Sequence, residues 1–172
     1  MSDDTSSKDI IWAPWRMDYI LSRDEYTDAC FLCEAVNADA SAWKEHKLLW
    51  KSNDVSILLN KFPYNNGHAL LAPVRHVADL TDLERMEHAS LMEGVETYVR
   101  AARSAMDPDG FNIGVNLGEA AGAGLPEHLH VHVVPRWEGD VNFMPVTGDT
   151  RVMPQSLEAL YDTLRKELAD DS

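Results

Sequence analysis

The stretch at residues 127–137, "EHLHVHVVPRW", sets three of the chain's seven histidines, His128, His130 and His132, on alternate positions. Leu129, Val131 and Val133 occupy the positions between them. Side chains at i, i+2 and i+4 of an extended chain share one face, so the pattern predicts a strand with an imidazole side and an apolar side. A single histidine on a half-buried strand is ordinary. Three in strict alternation point to chemistry, because imidazole serves as ligand, acid, base or nucleophile near neutral pH.

The spacing separates these roles. At ~3.3 Å per residue the outer two Cα atoms lie ~13 Å apart, so a straight strand does not wrap all three imidazoles around one ion. The metal-binding pattern His-x-His-x-Asp-His needs an Asp where His132 stands. A cupin-like pairing needs a Glu at Val134 or Pro135. Covalent catalysis fits better: a neutral imidazole attacks phosphorus when one nitrogen is free and the other N–H is held. His130, flanked on both sides, is the candidate, with like-charge repulsion from its neighbours keeping it unprotonated. The loop just upstream, "GEAAGAG", has Gly118, Gly122 and Gly124, which let backbone N–H groups approach an anion closely. Arg136 is a nearby cation and reads as structural.

The only cysteines, Cys30 and Cys33 in "CFLC", are too few for a disulfide framework. Their spacing suggests half a zinc site, or a redox pair.

The formal charge is −14, from 29 acidic against 15 basic residues. That balance argues against a broad nucleic-acid or anionic-membrane surface but leaves room for one anionic ligand in a local pocket. No apolar run approaches the ~20 residues of a membrane span. The start, "MSDDTSSKDII", resembles neither a signal nor a transit peptide, so a cytoplasmic protein is expected. Residues 1–10 read as a disordered acidic tail and 11–172 as a single domain, with "IWAPWRMDYI" an aromatic arm that must pack on something.

Several elements must position the histidines. Residues 54–60 and 68–74 read as two strands of a hairpin, joined by the turn chemistry of "KFPYNNG". Residues 81–106 read as a long helix, with Thr81 and Glu84 in a capping-box pattern and Met92, Val95, Val99, Ala102 and Met106 as its buried face. "DPDG" stops it, residues 111–117 form a strand, and Pro135 ends or edges the histidine strand. A last helix, 155–169, buries Leu157, Leu160, Tyr161, Leu164 and Leu168. Residues 41–50 are ambiguous. The order predicts an α+β domain, an antiparallel sheet with one long and one C-terminal helix.

These residues resemble the histidine triad (HIT) family, whose His-φ-His-φ-His-φ-φ signature (φ apolar) stands complete from His128 to Val134. The likeness extends through "NNGHALLAPVRH" and "FNIGVNLGEAAGAG", covering roughly residues 30–145. "APWR" and "HVVPRWEGDVNFMPV" look most like the bacterial branch described as diadenosine tetraphosphate phosphorylases or hydrolases. The resemblance implies an enzyme in which His130 attacks the α-phosphorus of a nucleotide, and water or phosphate then releases the mononucleotide. It implies that His132 orients the nucleophile or the phosphate, that His68 is a fourth active-site histidine, and that His128 protonates the leaving group. It assigns Phe31, Leu32 and Leu58 to the base, Asn60 to the ribose hydroxyls, and Asn116, Gly122 and Gly124 to the phosphate side. Many members carry Gln or Ser just before the triad. Ala123-Gly124-Leu125 offers only backbone there, which leaves the acceptor open between water and phosphate.

Zinc-bearing relatives imply a structural zinc on Cys30, Cys33, His76 and His128. That competes with an acid role for His128. No organic cofactor is implied, and a homodimer is, with Trp12 and Trp15 of the arm as contributors. Two rivals remain open: a nucleotide-binding regulatory module with little turnover, and a redox or metal-handling protein built on Cys30 and Cys33.

Overall fold

The computed structural model describes residues 30–140 and 154–170. The acidic tail, the aromatic arm with Trp12 and Trp15, and residues 141–153 lie outside the described residues.

Two short helices come first, α1 (Phe31–Asn37) and the single turn α2 (Trp43–His46). Strands β1 (Leu48–Lys51), β2 (Val55–Leu59) and β3 (Ala69–Pro73) follow. The long helix α3 (Arg85–Met106), strands β4 (Gly110–Val115) and β5 (Val131–Arg136), and α4 (Leu157–Asp170) complete the order. The five strands form one antiparallel sheet in the order β1-β2-β3-β5-β4. This is the expected α+β architecture.

Alternation along the strands sorts the sheet into two faces. Ile57, Leu59, Leu71, Val131 and Val133 point to the face covered by α3 and α4, where they meet Leu91, Val95, Tyr98, Leu160, Leu164 and Leu168. Truncating one of these to Ala costs about 2–5 kcal/mol. The opposite face holds Leu48, Leu58 and Ala72 under α1, packed with Leu32 and Ala35. Farther along that face comes His132, which pairs with Leu70. The histidine row therefore runs along the side that α3 and α4 leave uncovered.

Two expectations shift, and one ambiguity is resolved. The long helix begins at Arg85, because the capping box is closed by Glu84 and Glu87. Thr81 instead donates both its N–H and its hydroxyl to Asp79, within a short 3-10 turn, Leu80–Asp82. A bidentate pair from Arg75 to Glu87, at 2.8 and 2.6 Å, holds that start in place. The buried face of α3 is Leu91, Gly94, Val95, Tyr98, Ala101 and Ala102, while Met92 is 61% exposed. Gly94 lets the helix approach the sheet, since a Cβ there would stand 3.2–3.3 Å from both methyls of Val55. Residues 41–50 are ambiguous in sequence because the end of a 3-10 turn, a one-turn helix, a left-handed Lys47 and the start of β1 fall within ten positions. Among the described residues no helix is long and apolar enough to cross a membrane.

Candidate functional site

Formally β5 begins at Val131, so of the expected histidine strand only His132 lies within it, while His130 precedes it and His128 stands at a bend. Pairing of β5 with β3 stops at Val133, so beyond that point Pro135 has a ladder partner on the β4 side only. A missing N–H costs nothing on the unpaired side.

The backbone fixes the proton of each imidazole, because a carbonyl only accepts and an amide N–H only donates. His130 Nδ1 lies 2.8 Å from the carbonyl oxygen of His128, so Nδ1 carries the proton and Nε2 keeps a lone pair. His128 Nε2 lies 2.9 Å from Pro73 O and therefore carries its proton there, leaving Nδ1 as the lone pair. His68 Nδ1 accepts from the Tyr64 backbone N–H at 3.0 Å. Its proton is then on Nε2, which donates to His132 Nδ1 at 2.9 Å. His132 must hold its own proton on Nε2, and that buried nitrogen has no partner among the described residues. A lone pair on His130 and an unpartnered N–H on His132 thus stand on adjacent rings, 5.0 Å apart and edge to face.

All three triad imidazoles are held below the ordinary 6.5. Burial is the main cause for His130, opposed by its bond to the His128 carbonyl. The sequence-based expectation named like-charge repulsion, but desolvation does the work. His132 is pushed down to about 4, by burial and then by His130. His128 is lowered by burial first. The row is neutral at pH 7, as a nucleophile requires.

At the other end of the row the lone pair of His128 faces sulfur. Nδ1 lies 3.1 Å from Cys30 Sγ and 3.5 Å from Cys33 Sγ, and His76 Nδ1 lies 3.2 Å from Cys33 Sγ. One donor atom from each of Cys30, Cys33, His76 and His128 falls within 4.8 Å of every other. Two thiols and two imidazoles so gathered are the donor set of a closed tetrahedral zinc site, which needs only a slight contraction. Both ring nitrogens of His128 are engaged in this arrangement. The Cys33 thiol is pushed up to about 11 by burial and by Cys30.

The remaining predicted residues divide. Leu32 and Leu58 are 0% and 2% exposed and belong to the core under α1, with Phe31 half-buried against it. Asn60 turns its amide inward: Oδ1 accepts from Phe62 N at 2.9 Å and Nδ2 lies 3.3 Å from His68 Nδ1. Asn116 reaches Gly122 O at 3.5 Å. The glycine loop closes on itself, the N–H groups of Ala121 and Ala123 bonding Gly118 O and that of Gly122 bonding Glu119 O. Those three donors serve the turn rather than an anion, and Gly124 stays half-buried beside them. Arg136 is structural, gripping Asp140 at 2.6 and 2.7 Å and Asn112 at 2.8 Å.

The HIT domain family matches residues 42–139. The chain belongs to the HIT family. A HIT-family relative, the AP-4-A phosphorylase of Mycobacterium tuberculosis, is 38% identical over 163 residues, covering 92% of this chain and 84% of that one. A Zn-bound histidine triad family protein from Mycobacterium smegmatis superposes with a TM-score of 0.63 at 28% identity, covering 83% of this chain and 94% of that one. A hypothetical histidine triad nucleotide-binding protein from Sulfolobus tokodaii gives 0.65 at 24% identity, covering 82% and 93%, and supports the fold.

Sequence reasoning missed what holds this HIT site together. The Tyr64 N–H and the carbonyls of Pro73 and His128 are backbone groups and leave no signature in residue types. Asn65 reads only as part of the turn "KFPYNNG", and Asp140 carries no separate signal.

Proposed function

We propose that this HIT-family enzyme cleaves a diadenosine polyphosphate, or a closely related nucleoside polyphosphate, through a nucleotidyl-His130 intermediate. The observation that carries the reading is the lone pair of His130 Nε2 beside the unpartnered N–H of His132 Nε2. In diadenosine tetraphosphate, His130 Nε2 attacks a terminal phosphorus, the P–O bond to the bridging oxygen breaks, and ATP departs. The His132 N–H donates to the phosphoryl oxygen as charge develops there. Inorganic phosphate or water then displaces His130, giving ADP or AMP and restoring the lone pair. The likeness to an AP-4-A phosphorylase favours phosphate as acceptor and adenine nucleotide as substrate. Of Phe31, Leu32 and Leu58, only Phe31 is not fully buried, which favours it for contact with a base. Asn60 acts through His68 rather than on the ribose.

Cys30, Cys33, His76 and His128 would hold a structural zinc, a reading supported by the donor set and by the Zn-bound relative. When bound, that ion supplies a cross-link between α1, the segment after β3 and the start of the histidine row. His128 is then a ligand and not the leaving-group acid. A homodimer is also proposed, supported by the edge position of β4 and its 49% exposed Ile113. Light scattering on the full chain tests it.

The test of function is product analysis on diadenosine tetraphosphate with and without inorganic phosphate. ADP plus ATP formed only with phosphate establishes phosphorolysis, and AMP plus ATP without it establishes hydrolysis. Equal inertness of the wild type and His130→Ala would leave a nucleotide-binding module in its place.

A further inference from the structure

The loop between β2 and β3 sets the tautomers of two active-site histidines, and a clasp outside the site holds that loop. Its last residues close around His68. The Tyr64 N–H donates to Nδ1, the His68 N–H donates to Asn65 O at 3.1 Å, and the Asn60 N–H donates to His68 O at 2.9 Å. From the α3 side, the buried Tyr98 hydroxyl donates to Gly67 O. From the far end of β5, Asp140 Oδ2 accepts from Asn65 Nδ2 at 2.7 Å, and the same Nδ2 reaches Pro135 O at 3.1 Å.

Asp140 is itself fixed. Arg136 grips both its oxygens, and the Trp137 N–H donates to Oδ2 at 3.1 Å. Its side chain is only 9% exposed. The Arg136 guanidinium holds its carboxyl down at about 2, with help from the Trp137 and Asn65 donors, so it is charged at neutral pH. An ionised acceptor bonds an amide about twice as strongly as a neutral one. Arg136 in turn is tied to Asn112 on β4. The clasp therefore references the loop to β5 and to the edge strand β4.

We propose that Asp140, acting through Asn65, is a positioning residue for the reaction. The clasp keeps the Tyr64 N–H on His68 Nδ1, and so keeps the proton of His132 on Nε2, where it meets the substrate phosphate. Without the clasp the Tyr64 N–H shifts off Nδ1 and leaves there only the longer contact from Asn60 Nδ2 at 3.3 Å, so His68 samples both tautomers and His132 loses the donor that fixes its own. This rests on the reading of His130 and His132 as the phosphate-facing pair. His128 and His130 are outside the chain of effect, since other backbone carbonyls hold them.

The experiment is ¹⁵N NMR of the imidazoles in the full-length protein labelled at histidine, at pH 7, for the wild type, Asn65→Ala and Asp140→Asn. The wild type should show Nε2–H tautomers at His68 and His132 and an Nδ1–H tautomer at His130. Both variants should turn His68 and His132 into tautomer mixtures and leave His130 unchanged. With diadenosine tetraphosphate, kcat should fall on the order of 10²-fold at nearly constant KM, the scale of a small misplacement of a reacting group. Asn65→Ala leaves the Arg136–Asp140 pair intact and carries the test if Asp140→Asn does not fold. Wild-type tautomers in a folded variant overturn the proposal, as does a change that reaches His130 equally. Tautomers that respond as expected in a protein that never turns over the nucleotide sustain the clasp and overturn the catalytic reading instead.

Discussion

The two ends of the histidine row carry the same residue type at the same spacing and do opposite things. At one end His128 gives its proton to Pro73 O and turns a lone pair towards two thiols. At the other, His132 Nδ1 accepts a hydrogen bond from His68, and its buried Nε2–H has no partner among the described residues. His130, between them, gives its proton to the backbone of His128 and keeps its lone pair for attack. The ring is identical in each case. Whether it becomes ligand, nucleophile or donor is decided by one backbone group or one neighbouring imidazole that takes or supplies a single proton. The ends are also linked, because the carbonyl that orients the nucleophile belongs to the residue that closes the thiol cluster.

The comparison breaks most plainly at the middle. His130→Ala should lower turnover of diadenosine tetraphosphate by on the order of 10⁴-fold or more while the protein stays folded, measured as initial rate beside circular dichroism. A residual rate within about tenfold of wild type would remove the nucleophile from the account.

At the thiol end the effect should fall on stability. A site held at 100 times its Kd contributes about 2.7 kcal/mol, or about 5–11 °C in Tm for a chain of this size. Chelation, or Cys33→Ser, should lower Tm by that amount and release close to one zinc per chain, measured by elemental analysis and calorimetry. A purified wild type without zinc and with an unchanged melt after chelation would return the cluster to two buried thiols beside two imidazoles.

At the donor end the effect should fall on rate. His68→Ala should reduce kcat on the order of 10²-fold and leave zinc content at the wild-type level, so that the two ends fail separately. A joint loss of zinc would mean the row behaves as one unit.

The smallest effect is a pH dependence of stability set by His132. Its folded value, about 4, lies below the unfolded 6.5, so between those values the unfolded chain binds the extra proton. Its contribution is complete above about pH 6.5 and is lost as pH falls towards about 4. Urea titrations across that range should show the decline steeper in the wild type than in His132→Gln. Parallel curves would show that the ring does not titrate as its burial requires.

Much of this was legible in the sequence. The alternation at His128, His130 and His132 is a short-range pattern with one structural meaning, and the hairpin at 54–74 carries explicit turn residues. Other parts turn on contacts that residue types do not encode. Thr81 and Glu84 fit a capping box as well as Glu84 and Glu87 do, and Arg75, six positions before Thr81, decides between them. Val95 and Ala102 of the expected face are buried, but Met92 fits the same helical period and is exposed, because Leu91 takes its place on a face that also includes Gly94 and Tyr98. Glycine has no side chain to count, and tyrosine hides among polar residues. The proton pattern of the site is the least legible part, since Pro73 O, His128 O and the Tyr64 N–H belong to the backbone.

Trapping the intermediate tests the central claim most directly. Full-length protein should be acid-free quenched during turnover of diadenosine tetraphosphate and analysed by intact mass and peptide mapping. The account predicts one adenylyl group per active chain, labile to acid, stable to base and mapped to His130, and none in His130→Ala. An adduct on another residue, or turnover with no adduct at any time within the first cycle, would contradict it.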